Sequence, residues 1–163
     1  VSFLDEAKRK KSLGQRGKKP EDKVQEVLAD LGRQADFDWE RIYDARSAGG
    51  KFPTRAADFA FYWPGTHGLI EVKEVKHDYR VPVGNFNNAQ VGRMYKRQLA
   101  GGLNVILTYH SSTGLWRCLS LNYVRQVLDS GAASFDLRKE RQYTCAEEAL
   151  QPVIAQHARA GYA

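Results

Sequence analysis

Residues suited to metal-assisted chemistry fall in two short apolar runs, Ala57-Asp58-Phe59 and Ile70-Glu71-Val72-Lys73. In a strand, alternate residues share a face, so Glu71 and Lys73 point one way while Ile70 and Val72 point the other. The runs Ala57 to Trp63 and Leu69 to Lys76 are rich in aromatic and β-branched residues, and Pro64-Gly65-Thr66-His67-Gly68 between them is turn-rich, so an antiparallel hairpin is expected. With its centre near Gly65 and Thr66, Asp58 falls opposite Lys73 and within diagonal reach of Glu71. Two carboxylates and an ammonium then converge at one end of the hairpin. Hard divalent cations such as Mg²⁺ take oxygen ligands of this kind, with water and substrate phosphate completing the shell. Such a metal lowers the pKa of bound water and stabilises charge growing on phosphorus, while a neighbouring lysine orients the water or stabilises the transition state. The same residues also fit a plain salt bridge between Asp58 and Lys73 with Glu71 solvated, because an acidic-x-Lys pattern often arises by chance.

The elements that must position these groups can be read outward from the hairpin. Pro20 opens a helix over 20–31, with Glu21 and Asp22 in its first turn, Val24, Val27, Leu28 and Leu31 at helical spacing, and Gly32 closing it. Trp39 to Ala45 reads as a strand, followed by a loop from Ser47 to Pro53. Residues 77–86 look irregular. A helix over 87–100 with Val91, Met94, Tyr95 and Leu99 as its apolar positions ends at Gly101-Gly102. Leu103 to Tyr109 is a buried strand, Leu115 to Leu119 a further strand, and Leu121 to Leu128 a helix. The tail from Ala146 to Arg159 has weaker helical periodicity, interrupted by Pro152. This order predicts an α/β fold with a central mixed β-sheet flanked by helices.

Composition narrows the function class. The 163 residues suit one catalytic domain with an appendage, and 42% hydrophobic with 27% charged residues excludes wholesale disorder. The net charge of +6 favours a polyanionic partner. Seven of the basic residues (Lys8, Arg9, Lys10, Lys11, Arg16, Lys18 and Lys19) precede Pro20, which predicts a flexible basic arm over 1–19 and a single domain with a helical tail over 20–163. The longest apolar run, Phe59 to Trp63, is far below the roughly 20 residues that span a bilayer, so no membrane association is expected. Cys118 and Cys145 lack CxxC spacing and the four histidines form no zinc pattern; with no secretory segment in view, a reducing cytoplasm is expected.

Several gapped elements occur in one order: Gly17-x-x-x-Glu21-x-x-Val24-x-x-x-Leu28-x-x-x-Gly32, then Asp58, then Glu71-Val72-Lys73-Glu74, then Pro82-x-x-Asn85-Phe86 and Gln90, then Ile106-Leu107-Thr108-Tyr109. Together they resemble the PD-(D/E)XK nuclease superfamily, and within it are similar to the RecU-type Holliday junction resolvases, phage-borne relatives included. The chain departs from that pattern in carrying Ala56-Ala57 where threonines precede the aspartate and Ala89 where a histidine precedes the helix glutamine. The segment before Asp58 is also short, which implies a junction-binding stalk that is reduced or built elsewhere.

The resemblance implies a restriction-endonuclease-like core and a Mg²⁺-dependent endonuclease, with Mn²⁺ as the alternative metal and no small-molecule cofactor. Asp58, Glu71, Glu21 and the backbone carbonyl of Val72 would hold the metal, Lys73 would assist the attacking water, and Gln90 would position that water or a phosphate. It implies a homodimer acting on four-way DNA junctions. Other nucleases of the superfamily, for repair, end processing or restriction, and a non-catalytic DNA-binding protein on the same fold are the competing readings. The basic arm, Arg55, Lys76, Arg80, Arg93, Lys96 and Arg97 are the candidate phosphate contacts, although each singly reads equally well as a solvated charge. Arg93, Lys96 and Arg97 share a helical face. Phe59, Phe61, Tyr62 and Trp63 read as core and hairpin packing rather than base-stacking platforms.

Overall fold

A computed structural model describes residues 19–43 and 55–161. The chain runs through α1 (Pro20–Leu31), β1 (Asp38–Arg41), β2 (Phe59–Trp63), β3 (Thr66–Val75), β4 (Arg80–Pro82), a 3-10 turn (Val83–Asn85), α2 (Asn88–Leu99), β5 (Leu103–His110), β6 (Leu115–Leu119), α3 (Leu121–Asp129), β7 (Ser134–Asp136), α4 (Ala146–Ala149) and α5 (Gln151–Ala160). Five strands form one mixed sheet in the order β1-β2-β3-β5-β6, in which only β3 and β5 are parallel. This is the expected α/β architecture of a central mixed sheet flanked by helices.

The hairpin is longer and its turn tighter than the sequence suggests. Trp63 pairs with Thr66, leaving Pro64-Gly65 as a two-residue turn. Pro64 fixes its own φ and Gly65 takes φ +80, where a side chain would be strained, so this dipeptide sets the register. Phe59 therefore pairs with Ile70, which brings Asp58 level with Glu71 rather than opposite Lys73. Centring the turn on Gly65 and Thr66, one residue too far along, displaces the pairing by two residues.

Helix α2 shows how local chemistry delimits an element. Asn87 caps its N-terminus by accepting from the Ala89 N–H at 2.8 Å. At the other end Gly101, at φ +88, lets the Gly102 N–H reach the Arg97 carbonyl at 2.8 Å and its own N–H reach the Gln98 carbonyl at 3.0 Å, a Schellman closure. The helix thus starts and stops where its sequence says, with Gln90, Val91 and Met94 buried.

Two apolar layers sandwich the sheet. On one side Phe59, Phe61, Trp63, Ile70, Val72, Leu107 and Trp116 pack against Val24 and Leu28 of α1 and against Ala149, Leu150 and Val153. On the other, Ala60, Leu69, Val75, Ile106 and Leu119 pack against α2, α3 and Phe135. The segment after 146 is therefore core: Pro152 sits in the first turn of α5, where its missing N–H costs nothing, instead of breaking a helix. Residues 77–86 are not wholly irregular, because β4 pairs with β7 in a small antiparallel ribbon that no local pattern announces. Strand β1 ends at Arg41, short of the expected Ala45; residues 44–54, with the expected loop, and the arm residues Lys8, Arg9, Lys10, Lys11, Arg16 and Lys18 lie outside the described residues.

Candidate active site

The sheet loses a strand where the candidate residues lie. Strand β2 starts at Phe59, opposite Ile70, while β3 continues to Val75 with β5 on one side only. Asp58 fills the gap with its side chain: Oδ2 accepts from the Val72 N–H at 2.7 Å, a bond that another strand would otherwise make. Its own N–H donates to the Ile70 carbonyl at 3.1 Å, and its carbonyl accepts from the Ile42 N–H at 2.8 Å. The residue is thus held by three bonds to backbone groups, one of them to its carboxylate, and is only 3% exposed.

Opposite it, Glu71 is 2% exposed and bonded to Lys73, with Nζ to Oε1 at 2.8 Å. The salt bridge between Asp58 and Lys73 with a solvated Glu71 is thereby excluded: Lys73 pairs with its neighbour on the same strand face, and Glu71 is buried. Gln90 of α2 reaches the same ammonium, which donates to Oε1 at 3.5 Å, and the Phe86 ring lies beneath it at 5.4 Å. Gln90 is 5% exposed, so it faces the site and is not part of the helix's polar surface. Glu71 Oε2 is buried with no hydrogen-bond partner. Leaving such an acceptor unmet costs about 1–3 kcal/mol, more for a charged group, and marks the atom as one awaiting a partner.

The electrostatics agree. Burial, and next the Glu71 charge, push the Asp58 carboxyl up to about 6, against the opposing Val72 N–H and Arg55 guanidinium; Glu21 adds a smaller upward push. Two carboxylates in one low-dielectric recess repel each other, and a cation is what relieves them. Arg55 partly supplies that charge, with Nη2 at 2.9 Å from Asp58 Oδ1 while Nη1 donates to the Ile42 carbonyl at 3.3 Å. Its place is on the acid itself, where any metal must compete with it. The i, i+3 spacing of Arg55 and Asp58 was the available signal, and sequence reading assigned Arg55 to phosphate instead.

Hard, oxygen-only donors fit Mg²⁺ or Mn²⁺. Asp58 Oδ1, Glu71 Oε2 and the Val72 carbonyl are the atoms such an ion would use. Glu21, at the start of α1, is felt by Asp58 as charge but is not packed against it: among the described residues no three Asp, Glu, His or Cys side chains are gathered tightly enough to form a metal site unaided.

Beyond the acids, Arg93, Lys96 and Arg97 occupy the exposed side of α2, and Lys19, Lys76 and Arg80 are exposed as well. A second buried group, unnoticed in the sequence, holds the loop that follows β3. His110 is fully buried, with Nδ1 donating to the His77 carbonyl at 2.7 Å and Nε2 3.0 Å from the Thr108 hydroxyl. Burial depresses its pKa, against the pull of the His77 carbonyl, which keeps the ring neutral in this tautomer. Arg117 donates to the Asp78 carbonyl alongside. A lone histidine ending a β-strand gave little to read, since its partners come from a loop 33 residues earlier.

Among solved structures, the chain is similar to a Holliday junction resolvase. That protein is Hjc of Archaeoglobus fulgidus, an archaeal hyperthermophile; the match is 18% identical with a TM-score of 0.48, covering 78% of this chain and 97% of that one. No protein-family model and no curated protein matches the sequence. Among the described residues no helix is long and apolar enough to cross a membrane.

Proposed function

We propose that this chain is a divalent-metal-dependent DNA endonuclease that resolves four-way junctions. The observation that carries the nuclease reading is the buried pairing of Lys73 with Glu71 beside Asp58, with Glu71 Oε2 left without a partner. Asp58, Glu71 and the Val72 carbonyl would hold the ion, with Glu21 approaching from α1. When bound, the ion supplies a water of lowered pKa and neutralises charge on the phosphate.

The chain's own residues do the rest. Glu71 and Gln90 each take a hydrogen bond from the Lys73 ammonium, which leaves its third proton for a phosphoryl oxygen or the attacking water. The Phe86 ring covers one side of the ammonium with apolar surface and so keeps its charge effective. With an ion held by Asp58, Arg55 would be free to turn from that carboxylate to the scissile strand. Arg93, Lys96, Arg97 and the basic arm track neighbouring phosphates. Two copies related by a two-fold axis would place one site on each of a pair of strands, as symmetric resolution requires.

Cleavage of a synthetic four-way junction is compared with that of linear duplex of the same sequence in Mg²⁺ and in Mn²⁺. Preferential, paired cleavage of the junction is expected. Equal rates would reassign the protein to a general nuclease of repair, end-processing or restriction type. The Arg55–Asp58 pair favours a second reading, a DNA-binding protein without catalysis. It prevails if no divalent metal elicits cutting while binding in EDTA persists.

A further inference from the structure

A cavity of about 540 Å³ opens at the end of β3, its lining beginning at Glu74, the residue after Lys73. At about 3.3 Å per residue Val75 in its wall is roughly 6–7 Å along the strand from the lysine, about the reach of one nucleotide. Its lining is mostly apolar, with Val75, Pro82 and Ala133 forming the surfaces against which a flat ring can lie. Polar groups stand at the edges. Asn85, next to the Phe86 that underlies Lys73, presents an amide, and Glu74 a carboxylate; Lys76 and Arg80 bring positive charge.

The wall is built in advance. His77 Nδ1 accepts the Tyr79 and Arg80 N–H groups at 3.2 and 3.0 Å, so in the neutral ring the proton sits on Nε2 as a donor. The carbonyls of His77 and Asp78 are held from below by buried His110 and Arg117. Val83 N–H to the Ala133 carbonyl at 3.0 Å ties the opposite wall to β7. Apolar faces with a few placed polar groups at this volume are what a small aromatic ligand needs.

We infer that this cavity receives one unpaired nucleotide of the bound DNA strand, its base between the apolar walls and its phosphate on Lys76, Arg80 and His77 Nε2. The inference rests on the nuclease reading for its placement beside the scissile phosphate, not for its chemistry. A base within a duplex is stacked and cannot enter, whereas an unpaired one gives up little to do so. Glu74 can accept from the exocyclic amino group of adenine, cytosine or guanine, whereas thymine has no amino group and offers its one N3–H between two carbonyl oxygens that a carboxylate repels, so the amino-bearing bases are held more tightly.

The test uses the full chain in EDTA, where nothing is cut. Binding is measured for a fully paired duplex and for the same duplex with a single-nucleotide bulge of 2-aminopurine or of each natural base. The amino-bearing bulges should bind about tenfold more tightly than paired DNA, a 1.4 kcal/mol difference, and 2-aminopurine emission should change on binding. Ala133→Phe, which fills an exposed part of the cavity, should abolish both effects and leave duplex binding unchanged. Glu74→Gln, at an exposed position, should erase the discrimination against a thymine bulge. Equal affinity for bulged and paired DNA overturns the inference, as does a bulge preference that survives both variants. Junction cleavage with no bulge preference sinks this inference alone; a bulge preference in a protein that never cuts sinks the nuclease reading and leaves this one standing.

Discussion

Strand β3 turns two unlike surfaces to its two neighbouring layers. On one, Ile70 and Val72 join Phe59, Phe61 and Trp63 beneath α1, α4 and α5 in a layer whose polar intrusion is His157, bonded to Asp36 at 3.0 Å and boxed by the Phe37 and Trp63 rings. On the other, Glu71 and Lys73 stand between Leu69 and Val75, under Gln90 of α2 and beside Asp58. Backbone and burial are alike, since both surfaces belong to the same paired strand. Only side-chain chemistry differs, and it divides the labour: the first face stabilises the fold, the second holds charge where charge is unfavourable. A group kept buried, like-charged and partly unsatisfied is tolerated when a ligand completes it.

The largest expected effect is on chemistry. Replacing the pair together, Lys73→Met with Glu71→Leu, should lower metal-dependent cleavage by at least about 10²–10⁴-fold while leaving the urea midpoint almost unmoved, because exchanging both members of a buried ion pair for apolar side chains of similar size is close to neutral in stability. A loss of stability comparable to that of a core deletion would break the contrast between the faces.

Next is the opposite face. Phe61→Ala should cost about 3–5 kcal/mol in equilibrium unfolding, as expected for a large aromatic deletion, since Phe61 is fully buried and stacks on Phe37 and Trp63. Protein that remains folded should keep its Mg²⁺ response. If unfolding is unaffected, that face is not the stabilising one.

A smaller effect should have the reverse sign. Asp58 is raised from 3.8 to about 6, so the folded protein holds this proton more tightly than the unfolded chain, and stability falls as pH rises between about 4 and 6. In EDTA, Asp58→Asn should therefore stabilise the protein above pH 6, by up to about 3 kcal/mol at 1.36 kcal/mol per pH unit, and make no difference below pH 4. Denaturant titrations across that range check it; destabilisation at pH 8 would show that the Arg55 pair outweighs the repulsion from Glu71.

The smallest effects are at the surface. Lys96→Ala and Arg97→Ala should each reduce the slope of log K against log salt by about 0.9 without moving the melting temperature. Removing residues 1–18, which spares Lys19 whose carbonyl begins the α1 ladder, should flatten that slope further. An unchanged slope would take the arm off the DNA.

Much of the framework was legible because its causes are local. Pro20 and Gly32 bracket α1, Asn87 and Gly101 bracket α2, and alternation along Ile70-Glu71-Val72-Lys73 assigned each residue its face correctly. Strand β7, its pairing with β4, the cavity beside them and the burial of α5 were not legible, since each depends on distant segments meeting, some 50 residues apart for β4 and β7 and 121 for His157 of α5 and Asp36. Types and spacing by themselves determined that Asp58, Glu71 and Lys73 could work together, and the resemblance added Gln90. Only the tertiary structure decided which pairs formed: a two-residue turn set Asp58 level with Glu71, the end of β2 freed the Val72 N–H for the Asp58 carboxylate, and packing of α2 brought Gln90 to Lys73. The reason is physical. Periodicity fixes the direction of a side chain within its own element, whereas register and burial are settled by how all the elements share one core.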